Sequence, residues 1–145
     1  MPSVNNMTST ETHLERLLMD PTHLRGYGLT VNVNGHKTKL MLDTGASGIL
    51  IDRGIAEKAG ITRLKETRIG GIGDKGDKRG YVGLANSIKI GELEFQDCEL
   101  RVLEKRSVAG EEGLIGADVF ESFLVNIDFP KRKTAAQRAT QTPGR

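Results

Sequence analysis

The stretch Leu40-Met41-Leu42-Asp43-Thr44-Gly45-Ala46-Ser47 decides how the rest of this sequence is interpreted. An apolar run ends at an acidic residue, passes through small residues, and becomes apolar again at Ile49-Leu50-Ile51. Burial disfavours the charged form of a carboxyl group, so an aspartate at the end of a buried strand needs a partner or a chemical use. Our working hypothesis is that Asp43 is half of a catalytic carboxylate pair, and that a second copy of the chain supplies the other half.

The residues before this stretch have the alternating pattern of a β-hairpin. Tyr27–Val33 and Thr38–Leu42 alternate apolar and polar residues, and Asn34-Gly35 lies between them. Asn-Gly is a strong hairpin signal because both residues tolerate positive φ. We therefore expect a first hairpin that carries Asp43 at its end.

The order of hairpin, loop and short helix occurs loosely twice. The other predicted elements are a strand Gly48–Asp52, a helix Gly54–Ala59 closed by Gly60, a hairpin Ser87–Phe95 turning at Gly91, a short helix from Ala117 or Asp118 to Phe123, and a strand Leu124–Phe129. Eighteen glycines against four prolines are typical of many tight turns between short strands. The sequence thus predicts a pseudo-twofold, all-β unit with two short helices.

A glycine-rich, charged segment, Arg68–Gly83, separates the two halves. Within it, Gly71–Gly76 fits G-x-G-x-x-G, the dinucleotide-binding pattern, which requires a strand before it and a helix after it. The following Tyr81–Leu84 cannot sustain a helix, so we reject a nucleotide site. We predict a long, mobile β-hairpin instead.

Both ends of the sequence are predicted to lie outside the main domain. Leu14, Leu17 and Leu18 fall at helical spacing before Pro21, which predicts a short N-terminal helix within a polar segment, residues 1–25. Residues 26–130 form the predicted domain. Residues 131–145 carry five positive charges and no acid, so we expect a basic, disordered tail. Without this tail the net charge is −3, which does not favour a nucleic-acid partner.

Composition argues against several other classes. No apolar run approaches the roughly 18 residues that span a bilayer, so no membrane partner is predicted. The first residues lack the charged and apolar regions of a secretory signal, and we expect a cytoplasmic protein. Cys98, the one cysteine, excludes an intrachain disulfide framework and is predicted to be a small buried residue. The three histidines lack the spacing of a zinc site, and no metal or cofactor is predicted.

Three features together resemble the retroviral-type (retropepsin-like) aspartic proteases and their bacterial relatives, over roughly Gly26–Phe129. They are Asp43-Thr44-Gly45-Ala46 after an apolar strand, the glycine-rich hairpin about 30 residues later, and Leu114-Ile115-Gly116 about 70 residues later. The resemblance implies a closed, barrel-like all-β fold that acts as a symmetric homodimer. It also implies an aspartic endopeptidase without a cofactor, acting on an extended peptide or protein substrate.

The resemblance further implies roles for individual residues. The two Asp43 carboxylates of the dimer would share one proton and activate a water molecule. Thr44 would hydrogen-bond across the twofold axis, Gly45 would let the loop backbone approach the carboxylate, and Leu124–Phe129 would join the dimer interface. The residues expected to contact substrate are Ala46, the hairpin-tip residues Gly71, Ile72 and Gly73, and Ile115.

Two departures from the family pattern leave a second function open. Retroviral members usually have an arginine after the glycine equivalent to Gly116, where it anchors the dimer by ion pairing, and this sequence has Ala117. The predicted hairpin tip is also long and charged between Asp74 and Arg79. The alternative is a non-catalytic dimerisation or peptide-binding module on the same fold. Asp118 is predicted to be a helix N-cap or first-turn residue and not a second acid.

Overall fold

The computed structural model describes residues 3–4, 9–43, 45–70, 78–104, 113–120, 123–128 and 133–138. This part of the chain is mostly β-strand, with one short α-helix and one turn of 3-10 helix. The elements are β1 Ser3–Val4, β2 Ser9–His13, β3 Glu15–Asp20, β4 His23–Val33, β5 His36–Asp43, β6 Ile49–Asp52, α1 Arg53–Ala59, β7 Thr62–Ile69, β8 Lys78–Ile90, β9 Leu93–Leu103, β10 Gly113–Gly116, the 3-10 helix Ala117–Phe120, β11 Phe123–Asp128 and β12 Lys133–Arg138.

Six strands pair into a closed ring. The pairing runs from β9 through β6, β10, β5 and β4 to β8, and β8 pairs again with β9. Strands β1, β3 and β7 each pair with one member of this ring, and β11, β12 and β2 form a separate three-stranded sheet. The predicted all-β fold is confirmed.

Local turn chemistry explains the first hairpin. Asn34 and Gly35 both have positive φ, 50° and 82°, as the two-residue turn between twisted strands requires. The alternation along β4 turns Leu29, Val31 and Val33 fully inward. The second predicted hairpin is also confirmed, because β8 and β9 pair as neighbours around a turn at Gly91, which has a φ of 58°.

The helix α1 has the predicted end and one residue more at its start. Asp52 caps it by accepting a hydrogen bond from the Ile55 backbone N–H at 2.8 Å. Gly60 ends it in the left-handed conformation, φ 66° and ψ 41°, with its N–H on carbonyls of the last turn. The predicted second short helix is a 3-10 turn that ends at Phe120.

The core consists of aliphatic side chains from the ring strands, together with the inner face of α1. The fully buried large side chains are Leu14, Leu29, Val31, Val33, Leu40, Ile51, Ile88, Ile90, Leu93, Val102, Leu103 and Ile115. Cys98 is also buried, as predicted. This core fixes the strands that carry Asp43 and its neighbours.

The predicted N-terminal helix is wrong. Residues 9–13 and 15–20 form β2 and β3, and β3 pairs with β4. Leu17 is 7% exposed and Leu18 47%, as expected of neighbours on opposite faces of a strand. An isolated short helix is marginal in water, so pairing with β4 and β12 outweighs the helical spacing of the leucines.

The predicted disorder of the basic tail is wrong for Lys133–Arg138. These residues form β12, which lies between β11 and β2. Lys133 Nζ lies 3.0 Å from Glu11 Oε1 on the neighbouring strand β2. The positive charge of Lys133 is thus paired with an acidic residue from outside the basic segment. The predicted boundary at residue 26 also falls inside β4.

No helix within the described ranges is long and apolar enough to cross a membrane.

Burial should make Cys98 a slow nucleophile. Desolvation, with a smaller contribution from the negative charge of Glu99, raises the pKa of the Cys98 thiol above its usual value. The thiolate is the reactive form, so a raised pKa lowers its population at pH 8. We expect Ellman's reagent to react slowly with the native protein and rapidly after unfolding in guanidinium. Native labelling as fast as that of the unfolded chain would contradict the buried position.

Candidate active site

Asp43 is the last residue of β5, a strand flanked by β4 and β10. Its side chain is half-buried, at the point where the ring strand gives way to a loop. The hairpin signal at Asn34-Gly35 and the alternation along β5 together place the carboxylate there. The sequence therefore predicted its position in the fold correctly.

The loop that joins β5 to β6, between Asp43 and Ile49, turns back towards Asp43; we call it the active-site loop. The Gly45 N–H donates to Asp43 Oδ1 at 3.0 Å, and the Ala46 N–H donates to the Asp43 carbonyl at 3.0 Å. The predicted close approach of the backbone to the carboxylate is present. A methyl group on Gly45 would lie at an ordinary 3.5 Å from Asp43 Oδ1, so steric crowding does not itself require glycine.

Strand β10 pairs with the two strands at the ends of this loop. β10 pairs in parallel with β5, with Ile115 opposite Leu42 and Gly116 opposite Asp43. It pairs antiparallel with β6, with Ile115 opposite Ile49. One strand of four residues thus joins the strand that enters the loop to the strand that leaves it.

Ile115 is part of the core rather than of a binding surface. Its side chain is 0% exposed and packs within the main hydrophobic cluster. A side chain without exposed surface cannot contact a ligand, so the structure corrects the predicted substrate contact of Ile115. Ile115 lies opposite Leu42 and Ile49 on the two strands that flank the loop, which agrees with the supporting position that the family resemblance implies for Leu114-Ile115-Gly116.

Gly116 contacts the loop at a position where a side chain does not fit. Its N–H donates to the Gly48 carbonyl at 2.8 Å. A Cβ at this position would lie 2.2 Å from the Ala46 carbonyl oxygen, far inside van der Waals contact. The loop and β10 are therefore packed backbone against backbone.

Asp118 makes a loop contact that sequence reasoning missed. It lies in the first turn of the 3-10 helix, as predicted, but Oδ1 of its carboxylate accepts a hydrogen bond from the Gly48 N–H at 2.8 Å. The two residues are 70 positions apart in the sequence. The available signal was its place two residues after Gly116, which itself contacts the loop.

Four of the predicted site residues, Thr44, Gly71, Ile72 and Gly73, lie outside the described residues. Their roles stay predictions. Ala46 is partly buried and belongs to the loop, as described above. The arms of the predicted glycine-rich hairpin are observed, since β7 and β8 pair antiparallel from Thr62 opposite Leu84 to Ile69 opposite Lys78.

Charged side chains join these arms to the ring. Arg63 on β7 lies with its guanidinium 4.5 Å from the Tyr81 ring centroid and its Nη1 3.2 Å from Glu104 Oε1. The Glu104 N–H donates to the Arg79 carbonyl on β8 at 3.1 Å. Burial raises the pKa of the Tyr81 hydroxyl above its usual value. The hairpin is thus anchored at its base.

No group of three or more histidine, cysteine or acidic side chains within the described ranges is placed to hold a metal ion. The arrangement instead presents a half-buried carboxylate whose one oxygen accepts a backbone hydrogen bond. Such a group can act as half of an acid–base pair.

Comparison with known sequences identifies a family. Residues 29–122 match the family described as "gag-polyprotein putative aspartyl protease". The chain is 36% identical over 111 residues to DNA damage-inducible protein 1 of Chaetomium globosum, a match that covers 75% of this chain and 24% of that protein. The chain therefore spans about a quarter of the length of this curated relative.

Two solved structures share the fold. A retropepsin-like aspartic protease from Rickettsia conorii has a TM-score of 0.61 at 22% identity, covering 95% of this chain and 96% of that chain. The EIAV protease complexed with the inhibitor HBY-793 has a TM-score of 0.52 at 20% identity, covering 65% and 84%. At these identities the likeness shows the fold alone.

The close packing of Gly116 against the loop predicts that a side chain at this position destabilises the fold. Gly116→Ala should lower the free energy of unfolding by about 1–3 kcal/mol, because the new methyl group overlaps the Ala46 carbonyl. Gly54→Ala is the matched control. The nearest atom to its new methyl would be Asp52 Oδ1 at 3.3 Å, and alanine favours a helix. Urea denaturation measures both variants, and an equal or smaller loss for Gly116→Ala than for Gly54→Ala would contradict the packing.

Proposed function

This chain belongs to the retropepsin-like aspartic protease family, and we propose from that membership that it is an endopeptidase that acts as a homodimer. The observation that carries the proposal is the placement of Asp43. Asp43 lies at the end of ring strand β5, and its carboxylate accepts a backbone hydrogen bond. β10 pairs with both strands that flank the following loop.

The proposed chemistry needs two carboxylates. The sequence has one Asp-Thr-Gly, so the second Asp43 comes from a second copy of the chain related by a twofold axis. Two carboxylates about 3 Å apart cannot both ionise and share one proton. The ionised group takes a proton from water as the water attacks the peptide carbonyl, and the protonated group polarises the carbonyl oxygen.

Other parts of the fold fit this proposal. Gly45 N–H holds the Asp43 carboxylate on the loop, so that the group is oriented before substrate arrives. An extended peptide would pair with strand edges beneath the β7–β8 hairpin, with Ala46 and Gly71–Gly73 against it. We assign the dimer contact to β11, as the family resemblance implies for Leu124–Phe129; β11 and β2 are the two outer strands of their sheet within the described residues.

Replacing Asp43 tests the proposal directly. Asp43→Asn removes the acid–base group with little change in shape, and we expect cleavage of an unfolded protein substrate to fall by about 10²- to 10⁴-fold or more. Rates are measured between acidic and neutral pH, with and without a pepstatin-type inhibitor. Asp97→Asn is the matched control, because Asp97 is exposed and its φ of 53° is one that asparagine tolerates.

Other outcomes reject the proposal. If wild type and Asp43→Asn cleave at the same rate, or neither cleaves, Asp43 is not a catalytic group. A dimer that binds extended peptide equally well with either residue would instead support the non-catalytic binding module.

A further inference from the structure

We infer that Asp118 is a positioning residue that holds the active-site loop from within its own subunit. The inference rests on the proposed function, because it concerns how Asp43 is placed for catalysis. In this inference Asp118 determines the position of the loop and does not contribute to the association of the two chains.

The near and far ends of the loop are held by different groups. At the near end, Asp43 accepts hydrogen bonds from the N–H groups of Gly45 and Ala46. These contacts are internal to the turn and do not tie it to the rest of the fold. At the far end, Gly48 has a φ of 67°, a conformation that glycine adopts without steric cost, and its contacts are with residues outside the loop.

Both backbone groups of Gly48 are held by residues on either side of Ala117. The Gly48 carbonyl accepts from the Gly116 N–H at 2.8 Å, and the Gly48 N–H donates to Asp118 Oδ1 at 2.8 Å. A Cβ on Gly116 would lie 2.8 Å from the same Asp118 oxygen, so the carboxylate packs directly against the end of β10.

The Asp118 contact is the one side-chain hydrogen bond that the described residues show to this end of the loop. A hydrogen bond to an ionised carboxylate is shorter and stronger than one between neutral groups. Ala117, by contrast, has no charged group with which to reach a partner chain. The loop is therefore positioned inside each subunit.

This geometry predicts a loss of turnover without a loss of association. A misplacement of about 1 Å at a reacting group can cost about 10²-fold in rate. We expect Asp118→Ala to lower kcat by roughly 10- to 100-fold, with KM and the dimer dissociation constant unchanged. Asp118→Asn keeps an oxygen acceptor and should recover activity to within a few-fold of wild type.

The experiment combines three measurements on the full chain. Peptide cleavage gives kcat and KM at protein concentrations above the dimer dissociation constant, and sedimentation velocity gives that constant. Hydrogen exchange by NMR gives the protection of the Gly48 amide in wild type and in the variants. Glu99→Ala on β9 is the control for removing an exposed carboxylate, and should behave as wild type.

Each unexpected outcome overturns the inference. Wild-type kcat in Asp118→Ala removes the positioning role, and a weaker dimer whose activity returns at high concentration makes Asp118 an association residue. An Asp118→Asn variant as slow as Asp118→Ala shows that the hydrogen-bond acceptor is not what matters. Rapid exchange of the Gly48 amide in the wild-type protein overturns the contact itself, even if Asp118→Ala fails to fold.

The failure of this inference and that of the proposed function are distinguishable. The proposed function fails when wild type and Asp43→Asn have the same cleavage rate. The exchange of the Gly48 amide can be measured in Asp43→Asn, so it decides the Asp118 contact whether or not the chain cleaves peptides.

Discussion

The parallel pairing of β10 with β5 is the constraint on which the rest of the site depends. It sets Gly116 beside Asp43, and the antiparallel pairing with β6 joins the two strands that the loop separates. Without β10 the ring would be open between β5 and β6, and the loop would lose the strand against which its backbone packs. The absence of a side chain on Gly116 then lets the loop backbone lie directly on the strand.

Each end of the loop is held by a different kind of contact. Asp43 organises the turn that follows it, while Gly116 and Asp118 hold Gly48 on the side of the core. A carboxylate held in this way needs little reorganisation when it takes part in proton transfer. Under the proposed function, this arrangement would give each chain of the dimer a preorganised half of the catalytic site.

Local signals in the sequence were enough for most of the ring and for the position of Asp43. Asn34-Gly35 and Gly60 adopt the positive φ values that their residue types predict, and these turns fix the elements on either side. The errors lie where structure depends on distant partners. β2 and β3 are strands because β12 and β4 pair with them, and Asp118 reaches Gly48 across 70 positions. No pattern within a short window contains that information.

The pairing of β2 with β12 has a consequence for the time at which the molecule becomes complete. Thr12 lies opposite Thr134, so this sheet joins segments from nearly opposite ends of the described chain. Contacts of such long sequence separation form slowly, because the chain loses the conformational entropy of closing a long loop before the contact stabilises the structure. During synthesis on the ribosome, β2 must wait for residues 133–138 to emerge. The three-stranded sheet that contains β11, the strand we assign to the dimer, therefore cannot be completed until residues 133–138 are available.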